Sequence, residues 1–344
     1  MKKIGITGQN GFVGYHLSQT LGLDKEQFDL IQFNREYFDS PEDLDDFVAK
    51  CDVIVHLAAL NRHNDPEEIY RMNRGLTQKL IESLERTESC PHVLISSSTQ
   101  EERDNSYGKS KREARQALAH WAKRSGALFT GMLIPNVFGP FGQPFYNSVV
   151  STFCHQVAHD DVPSIEVDGY LKLIYVGELV SEIIANINGS LNEPELIINH
   201  SIESKVSEIL TLIQGYRKVY QEGGEIPEIN SNFEYNLFNT FRCYMPKKDY
   251  FQRYYTKHSD NRGHFVELMR AKISGQTSFS TTLPGITRGE HFHTRKIERF
   301  AVIQGKAKIQ LRRIGTNEVL NFELDGENPS FVDMPIWYTH NIKN

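Results

Sequence analysis

The first half of the chain alternates short apolar runs with longer stretches of helical periodicity. The apolar runs at Lys3–Thr7, Phe28–Phe33, Val53–Leu57 and Val93–Ile95 predict buried strands, and the repeat between Pro66 and Leu84 predicts a helix. Strands that alternate with helices are typical of a doubly wound parallel sheet. We therefore predict an α/β fold for this part of the chain.

The pattern changes in the last third of the chain. A helical segment runs from Ser204 to about Glu222, and Gly, Pro, Asn and acidic residues then accumulate between Gly223 and Asn239. From Tyr250 onward, short strand patterns and turns predominate, which predicts an all-β domain. A length of 344 residues suits two domains, and we place them at residues 1–245 and 246–344.

Composition and charge narrow the class of protein. Hydrophobic residues make up 39% and charged residues 24%, which is typical of a globular chain. The net charge of −6 offers no general attraction to nucleic acid or to an anionic membrane. No apolar run approaches the roughly 20 residues that cross a bilayer, and the cysteines form no disulfide or metal pattern. We expect a cytoplasmic protein without a nucleic-acid or membrane partner.

A glycine-rich turn follows the first predicted strand. Gly8 suits a tight turn, Gly11 lets the backbone approach a pyrophosphate, and Gly14 lets the next helix pack on the sheet. An ordinary strand-to-helix turn is the alternative. The second strand ends at Asn34-Arg35, where an NAD-selective fold places an acidic residue. Arg35 suits a 2′-phosphate and favours NADP(H), unless it is only a solvated surface charge.

Tyr107 and Lys111 lie four residues apart at the start of a predicted helix that continues to about Lys123. That spacing places both side chains on one helix face, where an ammonium group stabilises tyrosinate and lowers the tyrosine pKa. A serine hydroxyl from the preceding run Ser96–Ser98 can fix the position of the same substrate oxygen. A tyrosine placed in this way can exchange a proton with a sugar oxygen. The alternative is that the two side chains only form part of a helix surface, as is usual for a lone Y-x-x-x-K spacing.

Three histidines and a glutamate in the last third predict a metal site. His291 and His293 are separated by one residue and point to the same side of a strand, and Glu298 returns after a bend with an oxygen ligand. His340 completes the set. Three nitrogens and one carboxylate suit Zn²⁺, with Mn, Fe or Ni as alternatives. The alternative is that the two neighbouring histidines are hydrogen-bonded surface groups that bind no metal.

Six motifs occur in the order found in extended short-chain dehydrogenases/reductases that act on nucleotide sugars: TGQNGFVG, VIVHLAA, LISSS, YGKSK, LIPNVFGP and LIYVGELV. This resemblance over about residues 1–225 implies a Rossmann-type fold, with Tyr107 as the acid/base, Lys111 as its partner and Ser98, or alternatively Ser97, as the third catalytic residue. It implies cofactor contacts at Gly8, Gly11, Phe12, Val13, Gly14, Asn34, Arg35, Leu57, Ala58, Ala59, Tyr107, Lys111 and Pro135. It implies sugar-nucleotide contacts at Asn136, Asn147 and Tyr175.

The residues after the serine run indicate which reaction an enzyme of that superfamily catalyses. Sugar 4,6-dehydratases carry Thr-Asp-Glu at the catalytic serine position, whereas this chain has Ser98-Thr99-Gln100-Glu101. The missing Asp-Glu pair disfavours dehydration, and the preference for NADP(H) favours net reduction. The resemblance therefore implies a ketosugar reductase.

The C-terminal residues resemble the cupin family. The spacing from Gly285 through the two histidines and Glu298 to Gly305 reproduces its first metal motif, whereas Trp337 stands where the second motif has glycine. Because the chain ends soon after His340, we expect a C-terminally truncated cupin whose barrel lacks its last strands, with His340 on an open terminal edge.

The same region resembles the dTDP-4-keto-6-deoxyhexose 3,5-epimerases, which are cupins, in Asp260-x-Arg262-Gly263-x-Phe265-x-Glu267 and Gly285-Ile-Thr-Arg288-Gly289-Glu-His291. That likeness implies His291 as the catalytic base, and Arg262 and Arg288 as ligands of the substrate diphosphate. A metal-bound His291 cannot also be the base. In that case Lys296, Tyr338 or His264 becomes the candidate proton carrier.

The combination of both domains resembles the UDP-2-acetamido-2,6-β-L-arabino-hexul-4-ose reductases of capsule and O-antigen pathways. The resemblance implies a homodimer that epimerises C3 of a UDP-2-acetamido-2,6-dideoxy-4-ketohexose and reduces C4 with NADPH, towards N-acetyl-L-fucosamine precursors. A single-activity reductase with a structural or dimerising cupin is the first alternative. A nucleotide-sugar or NADP(H) sensor is the second, which the intact set of Ser98, Tyr107 and Lys111 disfavours.

Overall fold

The computed structural model describes residues 1–246, 252–260, 263–266, 268 and 282–344. The chain divides into two compact units, and each is assembled from separate stretches of sequence. The first unit comprises Met1–Phe138, Gly142–Ser148 and Tyr170–Ser204, and the second comprises Gly139–Phe141, Val149–Gly169 and Lys205–Asn344. Within the described ranges, we find no helix with the length and apolar character that a membrane crossing requires.

A six-stranded parallel sheet organises the first unit. The strands up to residue 205 are β1 (Lys2–Thr7), β2 (Phe28–Ile31), β3 (Val53–His56), β4 (His92–Ser98), β5 (Phe129–Ile134), β6 (Asn136–Phe138), β7 (Tyr170–Tyr175), β8 (Glu193–Ile197) and β9 (Ile202–Lys205). The large sheet has the order β2-β1-β3-β4-β5-β8, and β6-β7-β9 form a small separate sheet. All pairs of the large sheet are parallel, as the alternation of strands and helices predicts.

Helices cover both faces of this sheet because neighbouring strand residues point to opposite sides. The α-helices in the described part of the chain are α1 (Phe12–Leu21), α2 (Pro41–Val48), α3 (Pro66–Arg86), α4 (Ser106–Ser125), α5 (Val149–Ala158), α6 (Val176–Asn188), α7 (Val206–Tyr216) and α8 (Asn232–Arg242). Ile54 and Val93 pack in a core with α2, α3 and α4. Val53, Val55 and Leu94 pack in a second core with α1 and α6. The prediction of a doubly wound α/β sheet is confirmed.

Helices α5, α7 and α8 pack together in the second unit, where a π-helical turn at Arg217–Glu222 continues α7. The ring of Tyr216 lies edge-on to Phe238, with their centroids 5.2 Å apart. The polar composition of 223–239 gave no sign of α8. This helix nevertheless begins at Ser231, whose hydroxyl caps it by accepting the Glu234 N–H at 3.1 Å. Its buried face packs into the unit, so the helix depends on tertiary contacts rather than on composition.

Antiparallel strands form the C-terminal part of the second unit. They are β10 (Gln252–Tyr254), β11 (Lys257–Asp260), β12 (Gly263–Val266), β13 (Thr287–His291), β14 (Glu298–Val302), β15 (Lys306–Arg313), β16 (Val319–Asp325), β17 (Ser330–Met334) and β18 (Tyr338–Lys343). They pair as β13-β18-β15-β16, β10-β17-β14 and β11-β12. Residues of the two larger sheets share one core, which contains Val302, Ile309, Leu311, Phe322, Leu324, Val332, Met334 and Tyr338. The predicted all-β cupin domain is confirmed.

The expectation that His340 lies on an open edge is wrong. Its strand, β18, pairs with β13 on one side and with β15 on the other. His340 is therefore in the interior of a four-stranded sheet and is 1% exposed. The error arose because strand order is set by pairing between distant segments, which the position of a strand in the sequence does not reveal.

A buried ionic network joins the helical and β parts of the second unit. Arg299 on β14 donates through Nε and Nη2 to the Asp333 carboxylate on β17 at 2.8 and 3.0 Å, and the Tyr220 hydroxyl donates to the same carboxylate. Arg242 stacks over the Tyr220 ring at 5.5 Å and donates to the Met334 carbonyl at 3.0 Å. The Arg299 and Asp333 side chains are only 7% and 3% exposed, so the network belongs to the core.

Candidate active site and metal centre

The turn between β1 and α1 has the backbone shape of an anion cradle. Gly8 adopts a φ of +79°, which favours glycine, and Gly11 donates its N–H to the Gly8 carbonyl at 2.9 Å. A Cβ on Gly14 would lie 2.2 Å from that carbonyl oxygen, so only glycine allows this close approach. No side chain in the described ranges caps α1, whose N-terminal amides can therefore bind a pyrophosphate.

The other predicted cofactor residues lie along the same edge of the sheet. Asn34 and Arg35 are exposed where β2 has ended and a short 3-10 helix begins. Arg35 also helps to hold the pKa of the Asp39 carboxyl below its usual value, after the larger effect of Lys79. The remaining side chains are partly buried or buried in the loops and helix that follow β1, β3 and β5: Phe12, Val13, Leu57, Ala58, Ala59 and Pro135.

Ser98, Tyr107 and Lys111 lie at the end of β4 and in the first turns of α4. Ser98 and Tyr107 share a side-chain hydrogen bond, and Ser98 Oγ also accepts the Gln100 N–H at 3.1 Å. Burial raises the pKa of Tyr107 to about 12, although the Ser98 bond opposes the shift. We expected Lys111 to lower that pKa, but burial outweighs any such effect here. Burial also lowers the pKa of the Lys111 ammonium to about 8.

A buried ion pair, which the sequence did not reveal, anchors the short segment between Ser98 and Tyr107. Arg115 on α4 donates to both Glu101 oxygens, at 2.7 Å through Nη2 and 2.9 Å through Nε. Ser97 donates a hydrogen bond to Glu101. Because neighbouring residues of a strand point to opposite sides, the Ser97 hydroxyl is directed away from that of Ser98. Glu101 also opposes the fall in the Lys111 pKa. A glutamate committed to Arg115 is not available as the acid of a dehydratase.

Tyr146 is a second residue of this site that the sequence did not single out. Its hydroxyl oxygen accepts the Asn61 N–H at 3.2 Å, and it interacts electrostatically with Tyr107. Arg62 fixes the same loop by donating to the carbonyls of Phe145 and Tyr146 at 2.8 and 3.2 Å. The neighbouring Asn147, predicted as a substrate contact, was the only sign in the sequence that this loop borders the site.

The other predicted substrate residues of the first unit differ in accessibility. Asn136 and Asn147 are exposed, and Asn136 Nδ2 donates to the Lys172 carbonyl at 3.3 Å. Tyr175 is only 8% exposed, and its ring packs against Phe138 at 5.6 Å. The two asparagines are therefore open to a ligand, whereas most of Tyr175 is covered by protein.

His291, His293, Glu298 and His340 converge in the second unit. One donor atom from each lies within 4.8 Å of all the others. Glu298 Oε2 is 3.2 Å from His293 Nε2 and 3.1 Å from His340 Nε2. His340 Nδ1 faces the Tyr338 carbonyl at 3.4 Å, which leaves Nε2 directed at the cluster. Although Glu298 Oε2 is close, this buried nitrogen makes no hydrogen bond to any of the described residues. A bound metal ion would satisfy it.

A β-bulge sets the direction of His291. The pairing of β13 with β18 shifts register between Gly289 and His291, so that Glu290 has no partner of its own. Gly289 and Glu290 both adopt positive φ angles, 101° and 61°. The strand then ends at His291, and His293 lies in the following loop. The two histidines thus reach the cluster through a bulge and a loop, not through one regular strand as we predicted.

The remaining predicted residues of the second unit differ in their exposure and in their contacts with this cluster. Lys296 is 58% exposed and its ammonium contacts Glu298, whereas Tyr338 is 5% exposed within the core. Arg288 lies on β13 and is exposed. Arg262 and the side chain of His264 lie outside the described residues.

Two family models match the chain. The NAD dependent epimerase/dehydratase family matches residues 4–189, and the polysaccharide biosynthesis C-terminal domain matches residues 258–344. A UDP-2-acetamido-2,6-β-L-arabino-hexul-4-ose reductase of Pseudomonas aeruginosa is 34% identical over 99% of this chain and 91% of its own length. The chain belongs to this reductase family. The epimerase/dehydratase family that matches the first part of the chain uses a nicotinamide cofactor. The glycine-rich turn described above agrees with such a cofactor.

Two solved structures resemble this chain in fold. The capsular polysaccharide assembling protein CapF of Staphylococcus aureus is 31% identical, with a TM-score of 0.67 over 99% of this chain and 92% of its own. RMD from Pseudomonas aeruginosa, solved with NADPH, has a TM-score of 0.59 and covers 71% of this chain and 98% of its own, but at 18% identity it shows the fold alone.

Proposed function

We propose that this chain is a bifunctional nucleotide-sugar enzyme. Its cupin domain, which we place at 246–344, epimerises C3 of a UDP-2-acetamido-2,6-dideoxy-4-ketohexose. Its domain at 1–245 then reduces the C4 ketone with NADPH, giving a precursor of N-acetyl-L-fucosamine. The observation that carries the proposal is the half-buried Tyr107, hydrogen-bonded to Ser98 and with a raised pKa, in a chain 34% identical to a 4-ketosugar reductase. The same resemblance supports a cytoplasmic homodimer.

The state of Tyr107 suits the direction of reduction. Reduction of a ketone requires a hydride at carbon and a proton at oxygen, and bound NADPH supplies the hydride. With a pKa of about 12, Tyr107 holds its proton at neutral pH and can donate it to the C4 oxygen as that oxygen gains charge. Ser98 fixes the donor by hydrogen bonding. Lys111, one helical turn away, offers the positive charge that stabilises the resulting tyrosinate.

Epimerisation at C3 must precede this reduction. The C4 ketone makes the C3 proton acidic because it delocalises the charge of the carbanion, and reduction removes that ketone. A Zn²⁺ ion held by His291, His293, Glu298 and His340 would act as a Lewis acid that stabilises negative charge on the ketone oxygen. A metal-bound His291 has no free lone pair, so the proton carriers to test among the described residues are Lys296 and Tyr338. Lys296 has the greater access to solvent.

A second candidate function is a single-activity reductase whose cupin is structural. One observation favours it: the four donors all come from the protein, and Zn²⁺ sites with four protein ligands are typically structural. A metal used in this way would stabilise the fold without acting on substrate. The two candidates differ in whether the C3 proton exchanges with solvent.

One incubation in D₂O separates them. Purified protein is mixed with NADPH and the UDP-2-acetamido-2,6-dideoxy-4-ketohexose, and the product is analysed by NMR. The proposal expects deuterium at C3 and protium at C4, whereas protium at C3 supports the structural cupin. We expect Tyr107→Phe to lose reduction by about 10²–10⁴-fold and to retain C3 exchange. As the matched control, Tyr216→Phe loses one hydrogen bond to a backbone carbonyl and should retain both reactions. Wild-type protein that consumes no NADPH would contradict the proposal.

A further inference from the structure

Trp337 adopts a backbone conformation that ordinarily selects glycine. It is the third residue of a β-turn closed by the Tyr338 N–H and the Pro335 carbonyl at 3.4 Å, and its φ is 62°. A positive φ at the third turn position is usual for Gly or Asn, because other side chains crowd the backbone there. A tryptophan at this position is strained, and such strain is concentrated at functional sites.

The contacts of Trp337 show what opposes that strain. Its N–H donates to the His293 carbonyl at 2.9 Å, and its ring stacks on Phe292 with centroids 5.6 Å apart and planes 27° apart. Its carbonyl accepts the Ile314 N–H at 2.9 Å, and the side chain is 6% exposed. Trp337 thus contacts both residues that follow His291.

Those two residues need such support. Strand β13 ends at His291, so Phe292 and His293 are beyond its ladder of hydrogen bonds with β18. The bulge at Glu290 also interrupts the regular pairing immediately before His291. Strand pairing therefore does not fix the segment that carries His293.

We propose that Trp337 is a positioning residue for the metal centre. Its backbone fixes the His293 carbonyl and its indole fixes Phe292, so that the His293 imidazole is held toward Glu298 and His340. Trp337 itself offers no ligand atom to the metal. The inference rests on the metal centre of the proposed function and adds a residue that acts on it only through His293 and Phe292.

Zinc affinity of the full-length protein tests this inference. Affinity is measured by competition with a chromophoric chelator, and folding of each variant is checked by circular dichroism and NADPH binding. We expect Trp337→Gly to lower Zn²⁺ affinity by about 10–100-fold, the usual effect of removing a group that orients a ligand. Glycine relieves the backbone strain, so a loss of affinity cannot be attributed to a strained turn. Trp337→Phe keeps a stacking ring and should recover most of the affinity.

Two further variants keep the test decisive. Phe292→Ala removes the stacking partner and should lower Zn²⁺ affinity in the same direction, even if Trp337→Gly folds poorly. Trp121 lies in the core of the first unit and is the other of the two tryptophans of the chain, so Trp121→Phe should leave Zn²⁺ affinity unchanged. In that background, bound Co²⁺ should quench the remaining emission, which comes from Trp337.

The possible outcomes separate the inference from the proposed function. Wild-type protein that binds neither Zn²⁺ nor Co²⁺ overturns the metal centre and the role of Trp337 together. Wild-type protein that binds Zn²⁺, with Trp337→Gly and Phe292→Ala both folded and equal to it in affinity, overturns the positioning role alone.

Discussion

Replacing Glu101 with glutamine tests the buried ion pair between the catalytic serine and tyrosine. The Glu101 and Arg115 side chains are 5% and 4% exposed, and the change removes the charge that Arg115 faces. Removing one partner of a buried pair costs about 3–5 kcal/mol, because the other charge stays buried. Arg115 would keep Glu195 at 2.9 Å and the Pro194 carbonyl at 2.8 Å. We therefore expect the lower end, a fall of about 3 kcal/mol in the free energy of unfolding.

Glu195→Gln is the matched control for this variant. It makes the same chemical change on the same arginine, but the Glu195 side chain is 65% exposed. An exposed ion pair contributes about 1 kcal/mol or less. Both variants are unfolded with urea in a Trp337→Phe background, in which the tryptophan fluorescence comes from Trp121 in the core of the unit that contains the pair. Equal losses in the two variants would refute the argument that burial decides the magnitude.

Two further predictions concern cofactor choice and pH. We expect Arg35→Ala to lower the preference for NADPH over NADH by roughly 10–100-fold, since a charge-assisted hydrogen bond is worth about 1.5–3 kcal/mol. Steady-state kinetics with each cofactor check this, and an unchanged ratio of kcat/KM values would show that Arg35 is only a surface charge. We also expect kcat/KM for reduction to fall as the pH rises through about 8, because Lys111 then loses the proton that gives it charge while Tyr107, with a pKa of about 12, keeps its own. A pH–rate profile that is flat between about pH 7 and pH 10 would contradict this assignment.

The elements of the first unit were predictable because their signals are local. The apolar run before Gly8 and the glycine spacing after it specify a strand, a turn and a helix within 21 residues. Three of the four metal donors were predictable for a similar reason, since His291, His293 and Glu298 lie within eight residues of one another. The pattern identified the donors but not the bulge at Glu290 that directs them.

Features that depend on distant contacts were not predictable. Glu101 looks like any surface glutamate until Arg115 is placed against it by the packing of α4. The place of β18 between β13 and β15 follows from pairing across the sheet, not from its order in the sequence. The pKa of Tyr107 rises because desolvation by the surrounding protein outweighs its hydrogen bond with Ser98, and the extent of desolvation cannot be read from a spacing of four residues.

The buried network around Asp333 limits where the chain can be divided to isolate its C-terminal strands. Arg299 and Asp333 lie on neighbouring paired strands, whereas the hydroxyl of Tyr220 and the guanidinium of Arg242 come from helical residues earlier in the chain. These helical residues belong to the same compact unit as the strands, which includes Lys205–Asn344. A fragment that begins at residue 246 would leave the Asp333 carboxylate without its Tyr220 hydrogen bond, so we expect the C-terminal strands to fold on their own only when the helical residues are included.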